Sequence, residues 1–425
     1  MNVCLLTPTF LPKIGGVETV VASLARHYWR MSVRTCVVTQ WPRRGKGTPA
    51  DDQQPYPIFR YRRPWSFHFS LGMRTIHQAL ERAWRETGFD LIHCHLVYPA
   101  GYVATQFGQK HGVPVVITPH GSDVRPTCRY RQLPVIWERI TSCLRQASRV
   151  TAINSHMHRL VQDILAGRTD RIAIIPNGVD IEELNAPTPH QDDWPVPYGQ
   201  PFVLYLGGLT HKKGVDVLLR AMDRIRSEGR SDLRLVMAGD GPLRDQLQGY
   251  IRSRDLDASV NMVGLVCGEF KQWLLQNCRF LVMPSRTESM PLVALEAFAC
   301  GKPILASGVG GLCELIADGR TGRLIPPDQP DRLARELIRF ADGDYLLMAA
   351  AARAEAQRFD WPNIARDYLD LYRQILAAPH PAPAPVASAP SPAPRQSLPA
   401  VVDPSPLHTT WRSTDSRGRH PMSWE

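Results

Sequence analysis

The sequence predicts an α/β protein built from two Rossmann-like units, each with a parallel sheet. An apolar strand at Asn2–Thr7 leads into a Pro/Gly loop and then into a helix, Val17–Arg30, whose apolar residues have helical spacing. The same order of strand, loop and helix begins again at Pro201, after a proline-rich stretch without periodicity. Two units that start alike and are separated by a linker indicate two α/β domains.

Length and composition limit the class of protein. With 425 residues, 44% apolar and 21% charged, the chain is long enough for two to three ordinary domains. It has no run of about 18 apolar residues, so no membrane-spanning helix is expected. The N-terminus lacks a charged leader and breaks at Pro8, which predicts a first strand rather than a signal peptide. Nine scattered cysteines, mostly inside apolar runs, predict reduced thiols in a cytoplasmic protein.

The net charge of +10 lies in the N-terminal half of the chain. Residues 1–190 contain 23 Lys and Arg against 13 Asp and Glu, and the remainder is balanced. A basic face suits anionic lipid head groups or a phosphorylated acceptor, and the basic, aromatic loop Tyr56–Ser70 suits a membrane interface or an acceptor clamp. Solubility alone, and a partly buried loop with an edge strand, are the alternatives. The sequence has no zinc-finger spacing or RNA-recognition motif, so nucleic acid is not an expected partner.

One stretch, Pro284–Gly301, carries the most specific pattern. An apolar strand ends at Pro284, a polar turn follows, and strong helix formers cover Leu292–Ala299. In an open α/β sheet, ligands bind at such a strand-to-helix turn, and the helix start favours an anion such as a diphosphate. Glu288 precedes the helix and Glu296 lies within it, so both carboxylates can accept hydrogen bonds from hydroxyl groups. A nucleotide-sugar is anionic in the middle and hydroxylated at both ends; two solvated glutamates are the alternative interpretation.

Three turns of the N-terminal half also follow predicted elements of a parallel sheet. Gly15 and Gly16 let a ligand approach the backbone closely, or form an ordinary turn. His93 and His95 can share one face of a strand, but no third ligand has sensible spacing, so a metal site is not expected. His120 ends the next strand, at the ligand-facing edge of the sheet. A surface histidine is the alternative there.

The remaining elements complete the domain organisation. We expect an N-terminal domain over 1–183, a linker over 184–201 and a C-terminal domain over 202–360. An amphipathic helix over 361–377 completes the N-terminal domain, in which Ser155 is a candidate helix cap. Ten prolines between Pro379 and Pro406 predict that the tail, 379–425, is disordered.

These motifs, in this order, resemble those of glycosyltransferase family four over residues 1–376. That family contains retaining enzymes with the GT-B fold, in which two Rossmann-like domains face each other across a cleft and a C-terminal helix crosses back to the N-terminal domain. The resemblance implies catalytic roles for His120 and Glu288, and acceptor-side roles for Gly15 and His95. It implies donor binding by Gly16, Lys213, Ser289, Met290, Pro291, Leu292, Val293 and Glu296. No metal or cofactor is expected beside the nucleotide-sugar substrate.

The sequence departs from the family pattern after the first strand of the C-terminal domain. Gly207-Gly208 stands where Gly-Arg is expected, and Lys213 follows. Lys213 can pair with a diphosphate as a point charge, but its arginine partner is missing. The candidate substitutes are His211, Lys212 and Arg286.

The sequence therefore predicts a retaining transferase that moves a hexosyl or N-acetylhexosaminyl group from a nucleoside-diphosphate-sugar to a saccharide or lipid-linked acceptor. Its setting is polysaccharide or glycolipid assembly in the cytoplasm, with peripheral contact to the inner face of the cytoplasmic membrane as an option. Two alternatives stay open: a catalytically weak nucleotide-sugar-binding protein, suggested by Gly208, and a GT-B nucleotide-sugar epimerase. A dinucleotide dehydrogenase is disfavoured, because no Gly-x-Gly-x-x-Gly follows the first strand.

Overall fold

The computed structural model describes residues 1–42, 51–62, 70–167, 170–230 and 232–378. The tail predicted to be disordered and the second part of the basic, aromatic loop lie outside the described residues. All nine cysteines are free, as predicted, and seven of them are buried. Among the described residues, no helix is both long enough and apolar enough to cross a membrane.

Seven strands of the N-terminal half form one parallel sheet. They are β1 (Asn2–Thr7), β2 (Arg34–Gln40), β3 (Ile58–Tyr61), β4 (Leu91–His95), β5 (Val115–Thr118), β6 (Arg149–Ala152) and β7 (Ile172–Ile174). Their order across the sheet is β3-β2-β1-β4-β5-β6-β7. Strands β4 and β5 are buried throughout, because helices cover both faces of a parallel sheet. Strand β3, within the basic and aromatic segment, is an edge strand.

Six strands of the C-terminal half form a second parallel sheet. They are β8 (Val203–Leu206), β9 (Leu235–Ala238), β10 (Val260–Gly264), β11 (Leu281–Met283), β12 (Ile304–Ser307) and β13 (Gly322–Ile325). Their order is β10-β9-β8-β11-β12-β13, so β8 and β11 are central. Two α/β domains with parallel sheets are therefore present, as predicted. The β11 strand leads directly into the turn that contains Glu288.

Helices connect the strands of both sheets. They are α1 (Gly16–Arg30), α2 (Ser70–Thr87), α3 (Tyr102–His111), α4 (Pro134–Gln146), α5 (Ser155–Ile164), α6 (Ile181–Asn185), α7 (Val215–Ser227), α8 (Arg244–Ser253), α9 (Gly268–Asn277), α10 (Leu292–Ala299), α11 (Leu312–Leu315), α12 (Pro330–Arg339), α13 (Tyr345–Ala356) and α14 (Trp361–Ala377). The cap predicted for α5 is wrong by one residue. Asn154 has an extended backbone and accepts a hydrogen bond from Met157 N at 2.8 Å, whereas Ser155 is already helical.

The last helix, α14, packs on the N-terminal domain. Its buried Trp361, Tyr368 and Tyr372 belong to the same hydrophobic cluster as the inward residues of β1 and α1. The hydroxyls of Tyr28 and Tyr372 are hydrogen-bonded at 3.0 Å in this cluster. The chain therefore crosses back to its first domain after completing the second, as the resemblance implied.

Candidate active site

The turn between β11 and α10 holds the first predicted carboxylate, Glu288. Only 7% of Glu288 is exposed, and its Oε1 accepts hydrogen bonds from Lys213 Nζ at 2.5 Å and Ser285 Oγ at 2.8 Å. The two donors fix the orientation of the carboxylate, and the ion pair with Lys213 offsets the free-energy cost of burying its charge. The structure thus brings together two predicted site residues, Lys213 and Glu288, from different elements.

Two glycines allow neighbouring loops to close on this turn. Gly214, directly after Lys213, has a φ of +64°, and a Cβ on it would overlap the carbonyl of Pro284. Gly310 has a φ of +52°, and a Cβ on it would overlap the carbonyl of Glu288. Because both residues adopt left-handed backbone next to other backbone, only glycine fits. The turn is therefore fixed from two sides by the C-terminal domain itself.

The N-terminal domain also holds this turn, through two amides. Asn154 Nδ2 donates to Ser289 O at 2.7 Å, and Asn177 Nδ2 donates to Met290 O at 3.1 Å. The α10 helix starts immediately afterwards, and the first N–H groups of a helix have no acceptor inside it. The predicted donor-binding stretch, Ser289, Met290, Pro291, Leu292 and Val293, is thus a fixed helix start facing the domain boundary. Its role in binding a donor stays a prediction.

Three histidines form a row of contacting rings: His93 in the middle of β4, His95 at its carboxyl end and His120 just after β5. His95 Nδ1 and His120 Nε2 lie 3.1 Å apart, and the ring centroids of His93 and His95 lie 4.2 Å apart. His93 is hydrogen-bonded to Thr118 Oγ1 and to Tyr372 Oη, each at 2.6 Å. Burial lowers the pKa of His120 to about 4 and that of His93 to about 3. At neutral pH the row is therefore uncharged.

The start of α1 lies beside this row. Gly15 precedes the helix, and a Cβ on it would lie 2.5 Å from Glu18 Oε2. Glu18 is buried, pairs with Lys13 at 2.5 Å, and acts on His120, whose pKa it raises against the larger effect of burial. Gly16, which is predicted to bind the donor, is exposed, and no atom would lie within 4 Å of a Cβ on it. Sequence reasoning missed Glu18, because an acidic residue in a first helical turn is too common to signal a site.

The second predicted carboxylate, Glu296, lies at another part of the domain boundary. Its Oε1 accepts a hydrogen bond from Lys271 Nζ of α9 at 2.6 Å. Both residues line a cavity of about 830 Å³, together with Arg26 and Trp29 of α1. Glu296 therefore faces a space shared by both domains and large enough for part of a ligand.

Arg286, a candidate substitute for the missing arginine, is already engaged. Its guanidinium donates to both carboxylate oxygens of Asp216, at 2.8 and 2.7 Å, and lies 2.7 Å from Asp328. A guanidinium shared by two carboxylates has little charge left for a further anion. The structure therefore does not favour Arg286 in that role.

Arg125, which sequence reasoning did not single out, reaches the Glu288 turn from the N-terminal domain. Its Nη1 donates to Thr287 Oγ1 at 3.0 Å, and its Nη2 to Ser289 Oγ at 2.5 Å. The available signal was its position in the loop that begins with His120. An arginine in a loop is usually solvated, so this signal is weak without the structure.

The structure gives no support to metal binding by the histidine row. Across the residues that it describes, no three His, Cys, Asp or Glu side chains converge as metal ligands. Asp123, close to the row in sequence, accepts backbone hydrogen bonds from Val97 N at 2.8 Å and Gly121 N at 3.2 Å. Its carboxylate therefore shapes the His120 loop.

Comparison with known proteins covers both halves of the chain. The model described as glycosyltransferase family 4 matches residues 14–183, and that described as glycosyl transferases group 1 matches residues 188–358. D-inositol 3-phosphate glycosyltransferase of Acidothermus cellulolyticus is 30% identical over 313 residues, which cover 69% of this chain and 69% of that protein. Alpha-D-kanosaminyltransferase of Streptomyces kanamyceticus is 28% identical, over 69% of this chain and 80% of that protein.

A solved structure shows the same fold. Anabaena HepE in complex with UDP has a TM-score of 0.72 and 21% identity, and the match covers 88% of this chain and 100% of HepE. Both predicted features, the family and the two-domain fold, are confirmed. The protein is therefore a glycosyltransferase that belongs to the group 1 glycosyl transferases of family 4.

Proposed function

We propose that the protein moves a hexosyl or N-acetylhexosaminyl group, with retention of configuration, from a nucleoside-diphosphate-sugar to a saccharide or lipid-linked acceptor in polysaccharide or glycolipid assembly. One observation carries the proposal: Ser289 Oγ donates to His120 O at 3.3 Å, so the His120 loop and the Glu288 turn meet across the domain boundary. HepE, which has the same fold, binds UDP and UDP-glucose, and this supports a nucleotide-sugar donor.

In the proposed reaction, the bond between the anomeric carbon and the diphosphate oxygen breaks. The acceptor oxygen bonds to the same face of that carbon, and its proton passes to the departing diphosphate. Lys213 and the N–H groups at the start of α10 stabilise the negative charge that develops on the leaving group. No metal is assigned a part in this scheme.

The two predicted catalytic residues have different parts in the proposal. Glu288 is fixed by Lys213 and Ser285, which favours a role in accepting hydrogen bonds from sugar hydroxyls over a role as nucleophile. His120, neutral and hydrogen-bonded to His95, can bind another hydroxyl without adding charge. In this arrangement Glu296 accepts hydrogen bonds from the ribose of the donor.

The test is nucleoside-diphosphate release by the full chain, given UDP-, GDP- and ADP-sugars with and without lipid extract from its host. Release from one donor, increased by the extract, supports the transferase and identifies base, sugar and acceptor class. Conversion of the donor into an isomer without release would instead establish the epimerase alternative. No release and no binding of any nucleotide would contradict the proposal.

Gly208, which stands where the family pattern has arginine, favours the alternative of a catalytically weak nucleotide-sugar-binding protein. It is exposed, and the nearest atoms to a Cβ on it would be 3.9 Å away, so the backbone there leaves room for a side chain to start. On that alternative, the wild type binds a nucleotide-sugar without turnover, and Gly208→Arg restores transfer. Equal turnover in the two proteins would count against it.

The acceptor side of the proposal includes a lipid surface on the N-terminal domain. Leu133 and Val135 are 47% and 62% exposed at the start of α4. Arg129 and Arg131 precede them, and the Arg131 guanidinium lies 4.3 Å from the ring centroid of Trp137. Exposed apolar side chains beside arginines suit anionic lipid head groups. We assign this surface to the inner face of the cytoplasmic membrane, where a lipid-linked acceptor would enter the cleft.

Sedimentation with phosphatidylglycerol vesicles tests this surface. A double variant, Leu133→Ser with Val135→Ser, should lose vesicle binding several-fold, because the bound area is apolar. The matched control, Leu346→Ser with Leu347→Ser, removes an even more exposed apolar pair from the C-terminal domain and should bind like the wild type. Equal loss in both double variants would contradict the assignment.

A further inference from the structure

The cations around the Glu288 turn differ in how well their charges are compensated. Lys213 is paired with Glu288 at 2.5 Å. Arg286 is shared by Asp216 and Asp328. Arg125 is the exception: its guanidinium donates to two hydroxyl groups, and within the described ranges no carboxylate lies within ion-pair distance of it.

The surroundings of Arg125 make an uncompensated charge costly. Its guanidinium is partly buried, and burial lowers the pKa of Arg125, whereas the more distant charges of Glu288 and Asp123 raise it. A desolvated guanidinium is most stable when it forks onto an anion such as a carboxylate or phosphate. Two neutral hydroxyls give it direction without that compensation. The chemistry of this group is therefore suited to binding an anion.

The position of Arg125 identifies the anion. Its two partners, Thr287 and Ser289, flank Glu288, and Ser289 lies three residues before the first residue of α10. Gly121 makes the approach feasible: it has a φ of +108°, and a Cβ on it would overlap Ser289 Oγ and lie 3.2 Å from Arg125 Nε. The guanidinium therefore lies beside the start of α10, which is where the diphosphate of the donor binds in the proposed function.

We infer that Arg125 binds the diphosphate of the donor across the cleft and supplies the positive charge that Gly208 does not carry. The inference rests on the proposed function, because it uses the same donor site. Arg125 comes from the N-terminal domain, whereas Lys213 comes from the C-terminal domain. Donor binding by both residues ties the two domains together around the leaving group.

A phosphate on the acceptor has the same chemistry as the donor diphosphate, so the experiment separates the two sources. Calorimetry without acceptor measures the affinity of the full chain for UDP, GDP and ADP, and then for the monophosphate of whichever diphosphate binds. For Arg125→Ala we expect the diphosphate affinity to fall about 10- to 100-fold, and the preference for diphosphate over monophosphate to shrink. Arg125→Lys, which keeps the charge but loses the fork, should show a smaller loss.

The control is Arg145→Ala, which removes an exposed arginine of the same domain and should leave both affinities unchanged. Melting temperatures of all variants show whether they fold. Unchanged diphosphate affinity in Arg125→Ala would overturn the inference and leave the proposed function standing. A loss confined to the KM of the acceptor would also overturn it, because it would assign Arg125 to an acceptor phosphate. A wild type that binds no diphosphate would refute the proposed function itself.

Discussion

The two walls of the cleft hold their polar groups in different electrical states. On the C-terminal domain, two carboxylates are paired with lysines: Glu288 with Lys213 at 2.5 Å and Glu296 with Lys271 at 2.6 Å. On the N-terminal domain, His95 and His120 are hydrogen-bonded to each other, and burial keeps the pKa of each below its ordinary value. The C-terminal wall is charged but balanced, whereas the histidine row of the N-terminal wall is neutral.

This difference indicates that the two walls suit different parts of the substrates. A wall of cation–carboxylate pairs can receive a diphosphate through its cations and hydroxyl groups through its carboxylates. A wall of neutral imidazoles can bind hydroxyl groups without placing further charge in a buried space. Arg125 is a charged group of the N-terminal wall, and its guanidinium donates to Ser289 on the C-terminal wall.

Loss of Glu288 should have the largest effect. Glu288→Ala removes the carboxylate that orients the sugar and releases Lys213, so transfer should fall by at least about 100-fold while the fold is kept. Nucleoside-diphosphate release measures the first effect and circular dichroism the second. The control Asp257→Ala removes an exposed carboxylate and should have wild-type rates. Wild-type rates in Glu288→Ala would refute its assigned role.

Loss of a histidine from the N-terminal wall should lower the rate of transfer without weakening donor binding. In His120→Ala we expect kcat to fall about 10- to 100-fold, because one hydrogen bond to a sugar hydroxyl is lost in the transition state. Nucleoside-diphosphate affinity, measured by calorimetry, should stay within about twofold, since the imidazole carries no charge. If the affinity for the diphosphate fell as much as kcat, the distinction between the two walls would fail.

The neutral histidines should also be visible in the pH dependence of stability. His93 in the folded protein has a pKa of about 3, so below the ordinary histidine pKa of about 6.5 the unfolded chain binds a proton that the folded one refuses. Stability must therefore fall as the pH falls between these two values. His93→Gln should lose about 1–2 kcal/mol less unfolding free energy than the wild type from pH 7 to pH 5. Urea unfolding at both values gives the comparison; parallel losses would show that His93 titrates normally.

The smallest expected effect concerns the pair at the other part of the charged wall. Lys271→Ala leaves Glu296 partly buried without its partner. The carboxylate is then no longer held in one position, and burying its unpaired charge becomes energetically less favourable. Nucleoside-diphosphate affinity should weaken about three- to tenfold, with kcat unchanged, because this pair lies away from the reacting atoms. The control is Lys302→Ala, which removes a half-buried lysine of the same domain that forms no ion pair with the described residues. A larger loss of kcat than of affinity would place Lys271 nearer the chemistry.

The local framework could be read from the sequence. The helix expected over Leu292–Ala299 has those bounds in the structure, and a strand ends just before the Glu288 turn. Such elements follow from apolar periodicity and from Pro and Gly in the turns, which act over a few residues. The α5 cap was misplaced by one residue, because Asn154 and Ser155 are both good caps and only their backbone conformation separates them.

The pairing of the site residues was decided by tertiary structure. Lys213 and Glu288 are 75 residues apart, and Arg125 and Ser289 are 164 residues apart and belong to different domains. By itself, the sequence determined which residues stand at the ends of strands and the starts of helices, because those positions depend on local forces. Which of these residues touch depends on how two sheets and their loops pack together, and no local pattern encodes that arrangement.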